Sequence, residues 1–172
     1  MQGCRNHHAF GQRPGPGGSP PRPRQARAGL VGEGRGGGVA LALAALVPDE
    51  VAFVAAHQPL PGPRYADETT GAATSPELRA VELRYRAFRS HLPRQLAYFD
   101  LNGFAPGIRC PTLLSYGGRD ATVSAVEVGA LYDALTCDKA LAELPEARHC
   151  QAADLQEWWA IWRTWANGRV EG

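Results

Sequence analysis

Beyond residue 28 the apolar positions follow two patterns in turn. Ala28–Gly32 (AGLVG), Val51–Ala56 (VAFVAA), Thr112–Tyr116 (TLLSY) and Ala140–Leu144 (ALAEL) are short runs of strand length. They are largely continuous rather than alternating, which suits parallel strands covered on both faces. Between them lie segments with helical spacing. Gly36–Val47 is apolar nearly all round, predicts a helix buried on most sides, and is stopped by Pro48 and Asp49. Pro76–Tyr98 places Leu78, Val81, Leu83, Tyr85, Phe88, Leu92, Leu96 and Tyr98 at helical intervals, with Pro93 dividing it. Ser124–Leu135 repeats Val126, Val128, Leu131 and Leu135, and Ala152–Ala166 carries Leu155, Trp158, Trp159, Ile161, Trp162 and Trp165. His57–Thr74, rich in Pro, Gly and Thr, reads as loop. Strands alternating with helices predict an α/β fold: about four parallel strands with helices on both faces.

Residues 1–27 break this pattern. They contain five Arg, no Asp or Glu, and a dense run of Pro and Gly between Arg13 and Arg24. Phe10 is their only large apolar residue after Met1, so they cannot bury a useful face and are expected to be a disordered leader. An apolar stretch of secretory-signal length is absent, and Pro and Gly at this density oppose the amphipathic helix of a transit peptide. The expected domain is therefore 28–172.

Charge and cysteines narrow the classes further. The formal net charge is +1, so the remainder carries about −4 once the five leader arginines are set aside. That total does not suggest a nucleic-acid binder. The longest apolar run, Val39–Val47, is far short of the roughly 20 residues that span a bilayer. Cys4, Cys110, Cys137 and Cys150 are scattered, with no C-x-x-C pair. A zinc ribbon, a thioredoxin-type motif and a dense disulfide framework are excluded; free thiols fit a reducing, cytoplasmic compartment.

In a parallel sheet, functional residues collect at the carboxyl ends of the strands. Three positions qualify: the turn Gly32-Glu33-Gly34-Arg35-Gly36, Asp120 after the third strand, and His149 after the fourth. An acid can fix a histidine's tautomer, and the histidine can then take a proton from a nucleophilic hydroxyl. Plainer readings stand beside this one. The glycine turn resembles a phosphate loop, but no G-K-[ST] follows. Asp120 alone suits a turn or helix cap, and His149 alone a surface histidine. Cys150 reads as a bystander, His57 and the pair His7-His8 have no evident partner, and Glu33 and Arg35 read as solvent-facing. The tryptophans of the last segment suit helix-to-sheet packing better than a sugar platform.

From Tyr98 to Asp120 the chain resembles the acetyl xylan esterase and cephalosporin-C deacetylase family of α/β-hydrolases. Tyr98-Phe99-Asp100, Phe104-Ala105 and Ile108-Arg109-Cys110-Pro111 carry the likeness, leading into a strand and then Asp120. Gly32–Leu43 is similar to that family's nucleophile turn and the helix after it, and His149 falls at the family histidine. The resemblance covers residues 28 to about 165. It implies a partial α/β-hydrolase with catalytic positions Gly34, Asp120 and His149, a small acetylated carbohydrate or similar ester as substrate, and no cofactor or metal. The family pattern G-x-S-x-G holds Gly34 at its centre here, where no hydroxyl exists. Glycine tolerates the strained backbone of that position, so the geometry can persist without the serine. The early strands, which in the family supply a second oxyanion donor, have no counterpart in the pattern above.

Three functions follow: an ester hydrolase with a substitute nucleophile (Ser115, Ser124 or Cys150), a non-catalytic ligand- or partner-binding relative, or a truncated copy that is inactive alone. The strand Ala28–Gly32 is expected at an exposed sheet edge, which invites self-association into a homo-oligomer.

Overall fold

The computed structural model describes residues 27–60, 80, 83, 84, 94 and 97–170. Apart from Arg27, the leader read as disordered lies outside the described residues, as does most of the helix expected over 76–98. Four strands, β1 (Ala28–Glu33), β2 (Val51–His57), β3 (Thr112–Gly117) and β4 (Lys139–Leu144), form one sheet in the order β1-β2-β3-β4. All three pairings are parallel. Each strand matches its apolar run to within one residue at either end. Among the described residues β1 has β2 as its single neighbour, so it lies at the edge.

Parallel neighbours need crossovers, and helices supply them. The helices are α1 (Gly34–Leu46), the short α2 (Leu101–Phe104), α3 (Ala125–Ala134) and α4 (Ala152–Val170). Successive strand residues point to opposite faces. Val54, Ala56 and Leu114 therefore pack with Leu41 of α1, Leu101 of α2 and Leu131 of α3. Ala55 and Leu113 face the other way, onto Leu144, Ala147 and Trp158 of α4. Both faces of the sheet are covered, which is why its strands read as unbroken apolar runs.

The helix after β1 departs from expectation. Its buried stripe is Gly34, Gly37, Gly38, Ala40, Leu41 and Ala44, whereas Val39 and Leu46 are 63% and 67% exposed. Helix α1 packs on β1 and β2 and also meets α2 and residues 105–107, and Val39 and Leu46 lie outside these contacts. Helix α3 starts at a capping box, with Ser124 Oγ accepting from Glu127 N and Glu127 Oε2 accepting from Ser124 N. Its last carbonyls, Tyr132 O and Leu135 O, accept from Lys139 Nζ at 2.8 and 2.9 Å. Helix α4 runs one turn past Ala166, where Arg169 donates to Trp165 O and to Asp138 Oδ2. Trp158 is buried, Trp162 and Trp165 pack against the same core, and Trp159 is half exposed under Arg163.

Candidate active site

Parallel pairing brings the carboxyl ends of all four strands to one side of the molecule. Gly34 follows β1 directly and has φ +51°, a left-handed conformation that side-chain-bearing residues adopt at a cost. The turn is tight because α1 folds back over β1. A Cβ on Gly32 would lie 2.6 Å from the Gly36 carbonyl and 2.7 Å from Gly37 N, all backbone atoms. Glu33, the residue capping α1, is extended and makes no side-chain cap. The first amides of α1 thus have no intrahelical acceptor and offer hydrogen-bond donors at Gly34 and Arg35.

The turn after β3 delivers Asp120, and the turn after β4 delivers His149. Asp120 N donates to Gly117 O, and its Oδ1 accepts from Thr122 N at 2.7 Å and Val123 N at 2.9 Å. Its Oδ2 lies 2.8 Å from His149 Nδ1, and the carboxylate is wholly shielded from solvent while the imidazole is about a quarter exposed. A carboxylate can only accept, so the neutral ring takes the tautomer with the proton on Nδ1 and the lone pair on Nε2. That nitrogen faces residue 34: a Cβ built there would be 3.5 Å from His149 Nε2 and 3.8 Å from Cε1. Gly34, Asp120 and His149 converge as expected.

Two residues that patterning left without a role hold this arrangement. Gln58, fully buried with φ +45°, donates from Nε2 to Arg148 O at 2.9 Å and accepts at Oε1 from Cys150 N at 2.8 Å. It grips the backbone on both sides of His149. Asp154 Oδ2 adds a bond to Arg148 N. Cys150, read as a bystander, has φ +48°, and its sulfur lies 2.8 Å from where a Gly34 Cβ would be. Burial, with help from the Glu33 and Asp120 carboxylates, pushes its thiol above the ordinary range. Glu33 is accordingly half-buried at the turn rather than solvent-facing, whereas Arg35 is exposed.

His57 is a strand residue and not the start of a loop. It is fully buried, stacks on Trp158 with centroids 5.1 Å apart, and has Nδ1 2.7 Å from Ser115 Oγ on the neighbouring strand. Burial drives its pKa down to about 4. Ser115 is thereby committed to His57, and Ser124 to its capping box. Of the three candidate substitutes for the missing serine, Cys150 is the one brought to Gly34. Among the described residues no cluster of His, Cys, Asp and Glu could hold a metal, and no helix is long and apolar enough to cross a membrane.

A parallel sheet with helices on both faces and an acid–histidine pair at its strand ends defines an α/β-hydrolase fold. Within that class the chain belongs to the acetyl xylan esterase family, whose profile matches residues 19–164. Among solved structures, an acetyl xylan esterase from Thermoanaerobacterium sp. is 25% identical, with a TM-score of 0.60 over 76% of this chain and 44% of that one. An acetyl xylan esterase from a Paenibacillus species is 23% identical, with a TM-score of 0.63 over 79% and 43% of the two chains. The esterase domain of a Rhodothermus marinus protein is 22% identical, with a TM-score of 0.57 over 83% and 62%. The chain thus spans less than two thirds of the length of each. No curated protein sequence matches it.

Proposed function

We propose that the chain carries the acid–base half of a carbohydrate acetylesterase site, of the acetyl xylan esterase and cephalosporin-C deacetylase type, without its serine. The observation behind this reading is the placement of His149 Nε2, 3.5 Å from the Cβ position of residue 34, with Nδ1 held by Asp120. In a serine hydrolase that nitrogen takes the hydroxyl proton as the oxygen attacks the ester carbonyl, and the acid stabilises the imidazolium formed. Amides at the start of α1 suit the oxyanion that develops. The substrate class is a small acetylated sugar or a similar ester, and the reaction needs no cofactor.

Gly34 supplies no hydroxyl, so steady-state turnover of p-nitrophenyl acetate by this chain stays at the level of a surface histidine. The test is the double variant Gly34→Ser with Cys150→Ala. Serine alone would collide with the Cys150 sulfur, 2.8 Å from its Cβ. Removing the sulfur opens the space and puts a hydroxyl beside Nε2. The double variant should hydrolyse p-nitrophenyl acetate about 100-fold or more faster than the parent, the usual contribution of a positioned general base. Adding His149→Ala should abolish the gain. A double variant that folds yet shows no His149-dependent gain would overturn the reading.

A further inference from the structure

Strand β1 ends the described sheet on one side, and its hydrogen-bonding edge is regular. Ala28 N donates to Glu50 O, and Leu30 and Gly32 stand in register with Val54 and Ala56 of β2. Val54 N donates to Pro111 O on the β3 side, so the odd-numbered residues of β2 bond β1. The even-numbered residues of β1 therefore turn their amides and carbonyls to β2, and Gly29, Val31 and Glu33 turn theirs away from it. Arg27, Ala28, Gly29 and Val31 are exposed. Between Arg27 and Glu33 the strand has no charge and no proline, the usual guards of a sheet edge.

We infer that a second copy of this chain covers the edge, its β1 antiparallel to the first across a two-fold axis at Leu30, so that two four-stranded halves form one continuous sheet. The charges of the strand select this occupant and this register. Arg27 and Glu33 bracket it symmetrically about Leu30. With Leu30 opposite Leu30, Arg27 of each copy lies across from Glu33 of the other, and Gly29 across from Val31. These are the positions whose backbone groups face outward, so both pairings are of the hydrogen-bonded kind, and opposite charges meet at both ends of the ladder. Gly29 has no side chain to obstruct the valine across from it. A slip of register breaks both charge pairs, and a parallel pairing aligns like charges.

The helix layer beside the edge suits the same partner. Val39, Leu43 and Leu46 recur at i, i+4 and i+7 on α1, and all three are exposed. Helix α1 meets α2 and residues 105–107 on one flank, and α2 also meets α3, which packs on β3, so that flank faces β3. The two-fold sets the second α1 on the same face of the joined sheet, antiparallel to the first and on its other flank. The exposed stripes are the apolar surface this contact can bury. The pairing is isologous and closed, because each β1 edge is used up by the other.

The experiment is sedimentation velocity of the full chain over a dilution series, with circular dichroism as the check on folding. The parent should sediment as a two-chain species that dissociates on dilution. Arg27→Glu sets two pairs of like charge across the axis, as does Glu33→Arg, and each should weaken the dimer about 10-fold or more. The double variant Arg27→Glu with Glu33→Arg restores both pairs in the reverse sense and should dimerise as the parent does. An equimolar mixture of the two single variants should form the mixed dimer. Val31→Pro loses an amide that faces outward, so it should keep the fold and the pairing with β2 yet abolish the dimer. A parent monomeric at every concentration would overturn the inference, whether residues 1–26 or a different protein covers the edge. A dimer indifferent to Val31→Pro would overturn it by placing the interface elsewhere. Single charge variants that dimerise like the parent, or a double variant that is not rescued, would overturn it by refuting the register.

Discussion

Acidification should destabilise this fold through His57. The ring is sealed in the core against Trp158, with Nδ1 on Ser115 Oγ, and its Nε2 has no partner among the described residues. Burial lowers its pKa from 6.5 to about 4; the Asp154 and Asp120 carboxylates oppose the shift and His149 adds to it. The unfolded chain takes up the proton first as pH falls. The contribution of His57 is therefore present in full above pH 6.5, is lost between 6.5 and 4, and changes no further below. The gap between those two values corresponds to about 3 kcal/mol in total and to about 2 kcal/mol by pH 5. For a chain of this size, the loss at pH 5 lowers the melting temperature by about 4–8 °C. The comparison is thermal unfolding followed by far-UV circular dichroism between pH 7.5 and 4.5, for the parent and for His57→Phe with Ser115→Ala. Replacing both partners leaves no unpaired hydroxyl behind. The difference between the two curves should grow as pH falls through 6 and 5. Parallel pH curves would refute the argument, because they would mean the buried ring never titrates against its unfolded value.

The remaining predictions concern the site and its supports. Gln58→Leu removes both bonds that hold the His149 turn and should cost about 2–4 kcal/mol in urea unfolding, since Arg148 O and Cys150 N lose their partners; an unchanged midpoint would show that the grip is incidental. Gly32→Ala forces a Cβ to 2.6 Å from the Gly36 backbone and should destabilise by about 2–3 kcal/mol, with a lowered melting temperature as the readout. Trp158→Ala empties the core between α4 and the sheet and should cost about 3–5 kcal/mol by the same measurement. Asp120→Asn, added to the variant Gly34→Ser with Cys150→Ala, should leave the fold intact by circular dichroism while cutting p-nitrophenyl acetate turnover about 100-fold or more, because an amide no longer fixes the His149 tautomer with its lone pair on Nε2.

Strand and helix positions were legible because burial on both faces leaves a direct imprint on sequence. Each of the four apolar runs became a strand within a residue of its expected ends, and the turn, acid and histidine read at the strand ends lie close together in space. The one-sided burial of α1 was not legible. Its residues are apolar all round, so the pattern does not tell the buried Leu41 and Ala44 from the exposed Val39 and Leu46.

The supports of the site were equally hidden. Gln58 acts on residues 90 and 92 positions away, and His57 meets Ser115 at a separation of 58. The latter contact exists because β2 and β3 pair in the register that sets His57 beside Ser115. Nothing local encodes that register, since a continuous apolar strand has no polar face to fix it. Cys150 is the sharpest case. Its neighbour in sequence is the histidine, but its neighbour in space is the glycine of a turn more than a hundred residues earlier. Composition and spacing determined a parallel α/β chain with an acid and a histidine at its strand ends. That a thiol occupies the space of the absent serine was decided by the tertiary structure alone. Parallel pairing stacks the strand ends, and the Gln58 clamp turns the backbone of Cys150 toward Gly34.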